Sequence, residues 1–328
     1  MDVEIFRRTV KNRRRGGSWL MLEHMAEGIK QCGDNPVIVN EQWDNMQTQS
    51  GEMEPHTPIG VMFGYGGSNQ MHHTKGRRRM LADRAKEKGI SIITFDGGLL
   101  SSFGNTADKP EHHWRVSLYS PMNDGEFFCN SSPPDRWNNF CKLWNVKYEP
   151  WRKSNPNDPI LFILQPSDNW SMNDMDPIAW FNDVYKKIRP LTKRQFLIRP
   201  HPNHMSQMNT RQKEFPADCK LIIGPLSFHG KEKAHYRYNF QEAIANCHAV
   251  ITHNSTASTD SCVRGIPTFV TSNLSICWNV ANTDLTKIEN PIMPNRDQWV
   301  HNLGYRMWSV NEIRSGIVYK RFKEKLGL

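Results

Sequence analysis

Short apolar runs alternate along this chain with longer stretches in which apolar residues return every three or four positions. The first pattern predicts buried strands, the second amphipathic helices. VEIFRRTV opens as a strand and ends in a basic, glycine-containing loop. Ser18 to Gln31 (SWLMLEHMAEGIKQ) follows as a helix, then Pro36 to Asn40 as a strand. IGVMFGYGG reads as a strand entering a glycine turn, and RRRMLADRAKEKG as a helix closed by Gly89. ISIITFDGG is a further strand ending in a turn. Residues 105–157 are richer in Pro, Asn and Trp and read as irregular, with YEPWRKSNPNDP (148–159) as a linker.

The pattern then restarts. DPILFILQ, QFLIRPHP, CKLIIG, HAVITHNS and IPTFVTS read as strands; Pro177 to Ile188, NFQEAIANC and TASTDSCVRG read as helices. Such alternation predicts an α/β chain of two tandem Rossmann-like domains, 1–150 and 151–309, each on a parallel sheet. The final segment, 310–328, holds one more expected helix, VNEIRSGIVYKRFKEKLG. No repeat of solenoid period is present.

Composition narrows the class. A chain of 328 residues suits two domains, each able to bury its own core. It lacks a run of about 18 apolar residues, so a membrane span is not expected. The N-terminal MDVEIFRRTVKNRRRGG carries charges where an export signal needs apolar residues, which points to the cytoplasm. Seven scattered cysteines without a C-x-x-C pair read as reduced thiols, not a disulfide framework or zinc site. His72-His73 and His112-His113 are adjacent pairs that point to opposite faces of a strand, so no metal is expected.

The formal net charge of +9 favours an anionic partner. Residues 1–150 hold 19 Lys/Arg against 18 Asp/Glu, so the excess lies in the second half. The densest clusters, Lys11 to Arg15 and Lys75 to Arg79, nevertheless lie in the first.

Four motifs carry candidate chemistry. In HAVITHNSTASTDSCVRGIPTFV (248–270) a strand delivers His253, Asn254, Ser255 and Thr256 into a turn that starts a helix. Hydroxyl caps and the outward N–H groups of such a helix favour an anion such as a diphosphate, and Asp260 lies about one turn in, within reach of a ribose. The same pattern also serves as an ordinary strand–cap–helix unit. In IRPHPN (198–203) two prolines hold Arg199 and His201 at the edge where open α/β sheets bind ligands. In ITFDGGLLSSFGN (93–105) Asp96 precedes Gly97-Gly98, either as a base beside a closely approached substrate or as a simple turn former. In LFILQPSDNWSM (161–172) Gln165, Ser167, Asp168 and Ser171 form a polar loop after a strand.

Taken in order, these motifs resemble the GT-B glycosyltransferases, two Rossmann-like domains facing a cleft. The features are Asp-Gly-Gly after a strand, Gln with Asp-x-x-Ser, Arg-Pro-His-Pro, and Asn-Ser-Thr followed by an acidic residue. The nearest group is the capsule-polysaccharide Kdo-transferase-like enzymes, which share features with bacterial sialyltransferases. The resemblance runs from about residue 94 to residue 270 and is more specific in the second domain. It implies that Asp96 acts at the reacting centre, that His201 contacts the nucleotide phosphate, and that Ser255 and Thr256 bind the donor phosphates. It further implies Asp260 on the nucleotide ribose, although the family usually holds Glu there, and a C-terminal helix crossing back to the first domain. Donor binding would then involve Gln165, Ser167, Asp168, Arg199 and Asn254 as well. A UDP-sugar serves as co-substrate, and neither cofactor nor essential metal is expected.

In such enzymes the first domain receives the acceptor. Arg13, Arg14, Arg15, Lys75, Arg77, Arg78 and Arg79 bring more cations than a neutral sugar needs and suit a phosphate backbone read without sequence preference. Trp19, Tyr65 and Phe103 lie near these loops and fit either a core or a stack on an extruded base. By function the chain thus resembles phage DNA glucosyltransferases that act on hydroxymethylpyrimidines, with duplex DNA as partner and glucose as the expected sugar. The alternatives are transfer to a bacterial surface polysaccharide or glycolipid, a UDP-sugar 2-epimerase-like isomerase, and a non-catalytic nucleic-acid-binding protein. A dinucleotide-dependent oxidoreductase fits least, because FGYGGSN lacks the third glycine of the fingerprint.

Overall fold

The computed structural model describes residues 1–8, 17–41, 54–64, 75–100, 107–166, 170–172, 175–201, 204–222, 240, 243–244 and 246–328. The chain divides into unit 1, residues 1–140 with 300–328, and unit 2, residues 141–299. These divides, after 140 and after 299, fall ten residues before the boundaries at 150 and 309 that the sequence alone suggests.

Unit 1 is built on a six-stranded sheet ordered β11-β5-β4-β3-β1-β2. Strands β1 (Asp2–Arg8), β2 (Asn35–Glu41), β3 (Ile59–Phe63) and β4 (Ser91–Asp96) run parallel; β3 and β4 are apolar runs buried on both faces, whereas β2 forms the exposed edge. Helices α1 (Gly17–Gln31) and α2 (Lys75–Glu87) fall where periodicity predicts them. Gly89 closes α2 at φ +69°, the left-handed conformation that glycine adopts without cost.

The parallel expectation fails at one edge. β5 (His113–Leu118) pairs antiparallel with β4, and β11 (Met307–Ser309) pairs antiparallel with β5. β5 lies inside the region read as irregular, because it buries polar residues and so lacks an apolar run. Ser117 donates to the Ser120 carbonyl at 2.6 Å, and Arg115 is matched as described below. The same region holds α3 (Asp135–Trp144), which buries Trp137 and Phe140.

The expected single C-terminal helix is two, α8 (Val310–Arg314) and α9 (Ile317–Lys325), preceded by α7 (Asp297–Arg306). A reciprocal capping box between Ser309 and Glu312 starts α8, and Gly316 at φ +83° breaks the run. The break lets backbones meet: a Cβ at Gly316 would lie 2.7 Å from the Gly28 carbonyl oxygen on α1. Asp34 then accepts hydrogen bonds from Tyr319 (2.8 Å) and Lys323 (2.6 Å), tying α9 to the start of β2.

Unit 2 carries a five-stranded sheet ordered β10-β9-β6-β7-β8, parallel throughout. Its strands are β6 (Ile160–Ile163), β7 (Phe196–Arg199), β8 (Cys219–Leu221), β9 (Ala249–Thr252) and β10 (Thr268–Val270). Alternate residues of β6 feed two cores: Phe162 packs with Phe181, Phe196 and Ile251, whereas Leu161 and Ile163 pack with Ile244 and Val250. Helix α4 (Pro177–Ile188) starts at Asp176, whose carboxylate takes the Ile178 and Ala179 N–H groups. Further on come α5 (Met205–Thr210) and α6 (Ala257–Val263). Residues 149–152, read as linker, lie against the end of α6: Glu149 and Arg152 N–H groups donate to Val263 and Gly265 carbonyls. Among the described residues, no helix is long and apolar enough to cross a membrane.

Candidate functional site

Because β6, β7 and β9 run parallel, the residues that leave their C-terminal ends share one edge of the unit 2 sheet. Gln165 follows β6, Arg199 ends β7 with His201 beyond it, and Asn254 follows β9. The structure therefore gathers the second-domain motifs at one place in the fold.

Gln165 and Asn254 are locked to each other. Gln165 Nε2 donates to Asn254 Oδ1 and to Ser171 Oγ, both at 2.8 Å. Its Oε1 accepts the Asn254 backbone N–H at 3.0 Å. Asn254 Nδ2 donates to the Ser171 carbonyl at 2.9 Å and to Ser272 Oγ at 3.4 Å. Gln165, Asn254 and Ser171 are all buried. Each amide thus has both N–H donors committed inside the protein, and the two residues together shape the turn after β9. Ser272, just after β10, was not singled out from sequence; a lone serine in a turn carries no signal of its own.

Ser255 is half-buried, and its Oγ accepts the Ala257 N–H at 3.3 Å while its carbonyl takes Ser258 Oγ at 2.6 Å. Ser255 therefore does the capping expected of the hydroxyls, whereas Thr256, at the helix start, makes no side-chain cap bond. Asp260 lies in the first turn of α6 and is buried. Arg199 is 2% exposed, with its guanidinium carbon 5.0 Å above the Phe240 ring. Its carbonyl accepts the Leu164 N–H, which fixes the ends of β6 and β7 together. His201 is half-buried, and its carbonyl accepts the His204 N–H at 2.9 Å. Ser167 and Asp168 lie outside the described residues.

In unit 1, Asp96 ends β4 with a half-buried side chain. Its Oδ1 accepts the Gly97 N–H at 2.7 Å, the local turn contact expected of Asp-Gly. Its Oδ2 pairs with Arg115 Nη2 at 3.1 Å, an ion pair across the antiparallel register of β4 and β5. Arg115 is itself anchored by the Pro121 carbonyl at 3.0 Å. Sequence reading missed Arg115, because the partner is set by strand pairing and not by spacing along the chain.

The basic clusters divide. Arg13, Arg14 and Arg15 lie outside the described residues. Lys75 and Arg77 belong to the first turn of α2, as does Arg78, which turns inward against the expectation of a surface cation. Arg78 is buried, and its guanidinium donates to the Phe63 carbonyl at the end of β3. Arg79 is exposed. Of the paired histidines, His72 and His73 lie outside the described residues and His112 is buried. Burial pushes the His113 pKa down to about 4. Among the described residues no group of three His, Cys, Asp or Glu side chains is placed to hold a metal.

No protein-family model and no curated protein matches this chain. Solved structures do. A Thermosulfurimonas dismutans KpsC beta Kdo 2,4 transferase matches with a TM-score of 0.51 at 12% identity, covering 94% of this chain and 92% of that one. The beta Kdo 2,7 transferase of the same organism's KpsC matches at 0.44 and 9% identity, covering 97% and 99%. An alpha-glucosyltransferase in complex with UDP and a 13-mer DNA containing an HMU base scores 0.35 at 10% identity, covering 99% of each chain. Only the first score is high enough to carry an argument, and at that identity it speaks to fold alone. Together with the two sheets and their strand orders, it shows that the chain has a GT-B fold.

Proposed function

We propose that this chain is a metal-independent glycosyltransferase that takes its sugar from a UDP-sugar bound by unit 2. The observation that carries the reading is the buried amide lock between Gln165 and Asn254, which fixes the turn after β9 at the same sheet edge as Arg199 and His201. A network with every donor satisfied is rigid, and rigid polar turns at this sheet edge suit the preorganised binding of an anion. In this reading Ser255 and Thr256 hold the diphosphate and Asp260 serves the ribose. Arg199 and His201 offset the charge on the leaving UDP. Asp96 takes the proton of an acceptor hydroxyl, whose oxygen attacks the anomeric carbon as the bond to UDP breaks, which inverts that centre.

The acceptor proposed is a 5-hydroxymethylpyrimidine in duplex DNA, and glucose is the proposed sugar. Its support is charge: KNRRR follows β1, and Arg79 stands exposed on α2. The inward turn of Arg78 removes one cation from that count. A surface glycan is the second reading, favoured by the fold shared with a Kdo transferase. Incubation with labelled UDP-glucose and either hydroxymethylated duplex DNA, ordinary duplex DNA or bacterial glycan tests both. Label in hydroxymethylated DNA alone, undiminished by EDTA, is the expected result. Label in glycan and in neither DNA overturns the DNA acceptor, and UDP-sugar isomerised without any acceptor overturns transfer altogether.

A further inference from the structure

His253 has no part in the site described so far. It is the first residue after β9, half-buried, with its ring edge-on to Trp180 at a centroid distance of 6.2 Å. Its Nδ1 lies 2.8 Å from Thr271 Oγ1, and the same oxygen accepts Trp180 Nε1–H at 2.8 Å.

These contacts favour one tautomer. An indole N–H only donates, so Thr271 Oγ1 is an acceptor toward Trp180. The hydroxyl still has one hydrogen to place, and His253 Nδ1 is its one remaining partner among the described residues. With the Thr271 hydroxyl donating to it, Nδ1 offers its lone pair and the ring proton falls to Nε2, the arrangement on which the proposal below is built. Burial holds the ring's pKa below its ordinary value, which keeps it neutral with a single N–H. Nε2 meets no described residue, and it is not among the buried polar atoms left without a partner, so it stands open.

The ring is also held from behind. Thr271 N–H donates to the Thr252 and His253 carbonyls at 3.3 and 3.2 Å, and Gln165 clamps the next residue through the Asn254 N–H. A histidine oriented by a hydroxyl on one nitrogen and open on the other is built to present that second nitrogen to something outside the core. The residues that follow it are Ser255 and Thr256.

We propose that His253 is a further donor-binding residue, with Thr271 holding its ring so that Nε2–H hydrogen-bonds an anionic oxygen of the sugar nucleotide's diphosphate. This rests on the reading of the unit 2 sheet edge as the nucleotide-sugar site. Titration calorimetry with UDP and with uridine, on wild type, H253F, H253Q and T271V, tests it. H253F is expected to bind UDP about tenfold more weakly, the cost of a lost hydrogen bond to a charged group, with uridine unaffected. H253Q, whose amide N–H reaches the same position, is expected to retain most of the affinity. Imidazole ¹⁵N spectra should show the proton on Nε2 in wild type and a tautomer mixture in T271V, a readout independent of whether H253F folds. UDP binding by wild type with H253F unchanged overturns this proposal and leaves the nucleotide site standing. Failure of wild type to bind UDP overturns both, and a proton on Nδ1 overturns the role given to Thr271.

Discussion

The two sheet edges are made polar in different ways. In unit 2, four side chains with nearby backbone groups, from the segments that follow β6, β9 and β10, satisfy one another, so the turn after β9 is set before any ligand arrives. In unit 1, Asp96 has its own turn N–H and one arginine from the strand beside it. The first arrangement suits holding a charged molecule in place. The second leaves a carboxylate with lone pairs to spare, which suits taking a proton. The proposed function gives binding and chemistry to different units, and variants should separate them.

The largest effect is expected at Asp96. Asp96→Ala should cut turnover by roughly 10²- to 10⁴-fold, the range for loss of a positioned base, while calorimetry finds UDP affinity unchanged. A fall in UDP affinity of the same size would erase the division of labour. Asn254→Ala should do the reverse. It takes the partner from one buried Gln165 N–H and from the Ser171 carbonyl, so thermal unfolding should register about 1–3 kcal/mol of lost stability together with weaker UDP binding.

The units also differ in how they are assembled: unit 2 is continuous, whereas unit 1 needs the chain's last segment. Gly316→Ala places a Cβ against the Gly28 backbone at a left-handed φ, so denaturant unfolding should show at least about 1 kcal/mol of destabilisation. Asp34 links the same return to pH. Burial would raise its pKa, but hydrogen bonds led by Lys323, with Tyr319, outweigh it and hold the carboxyl at about 2. A lowered pKa contributes stability that is present above the ordinary carboxylate range and is lost as pH falls toward 2. Asp34→Asn should therefore flatten the acid limb of the stability profile below about pH 4, as circular dichroism at stepped pH would record. The smallest effect is expected at Arg79. Its replacement by Ala should lower the salt dependence of DNA binding by about one phosphate contact, without changing UDP affinity.

What the sequence made legible follows from the same contrast. Parallel strands buried on both faces, such as IGVMF and ILFI, announce themselves as apolar runs, and the helices between them by period. The motifs at the ends of β6, β7 and β9 were legible because a parallel sheet brings strand ends together whatever the strand order. HWRVSL was not, because its arginine and serine are buried with partners that only the folded chain supplies. The Asp96–Arg115 pair was hidden for that reason, and so was the inward turn of Arg78 onto Phe63. The break at Gly316 lies within an apolar spacing that continues on both sides, so periodicity alone reads through it.

The central claim is that the edge of the unit 2 sheet grips the diphosphate of an activated sugar. A crystal structure with UDP tests it most directly. Phosphate oxygens are expected within hydrogen-bond reach of the Ser255 and Thr256 hydroxyls and of His253 Nε2, with the Gln165–Asn254 lock unchanged. UDP bound elsewhere, or an opened lock with the phosphates on its freed amides, would contradict it.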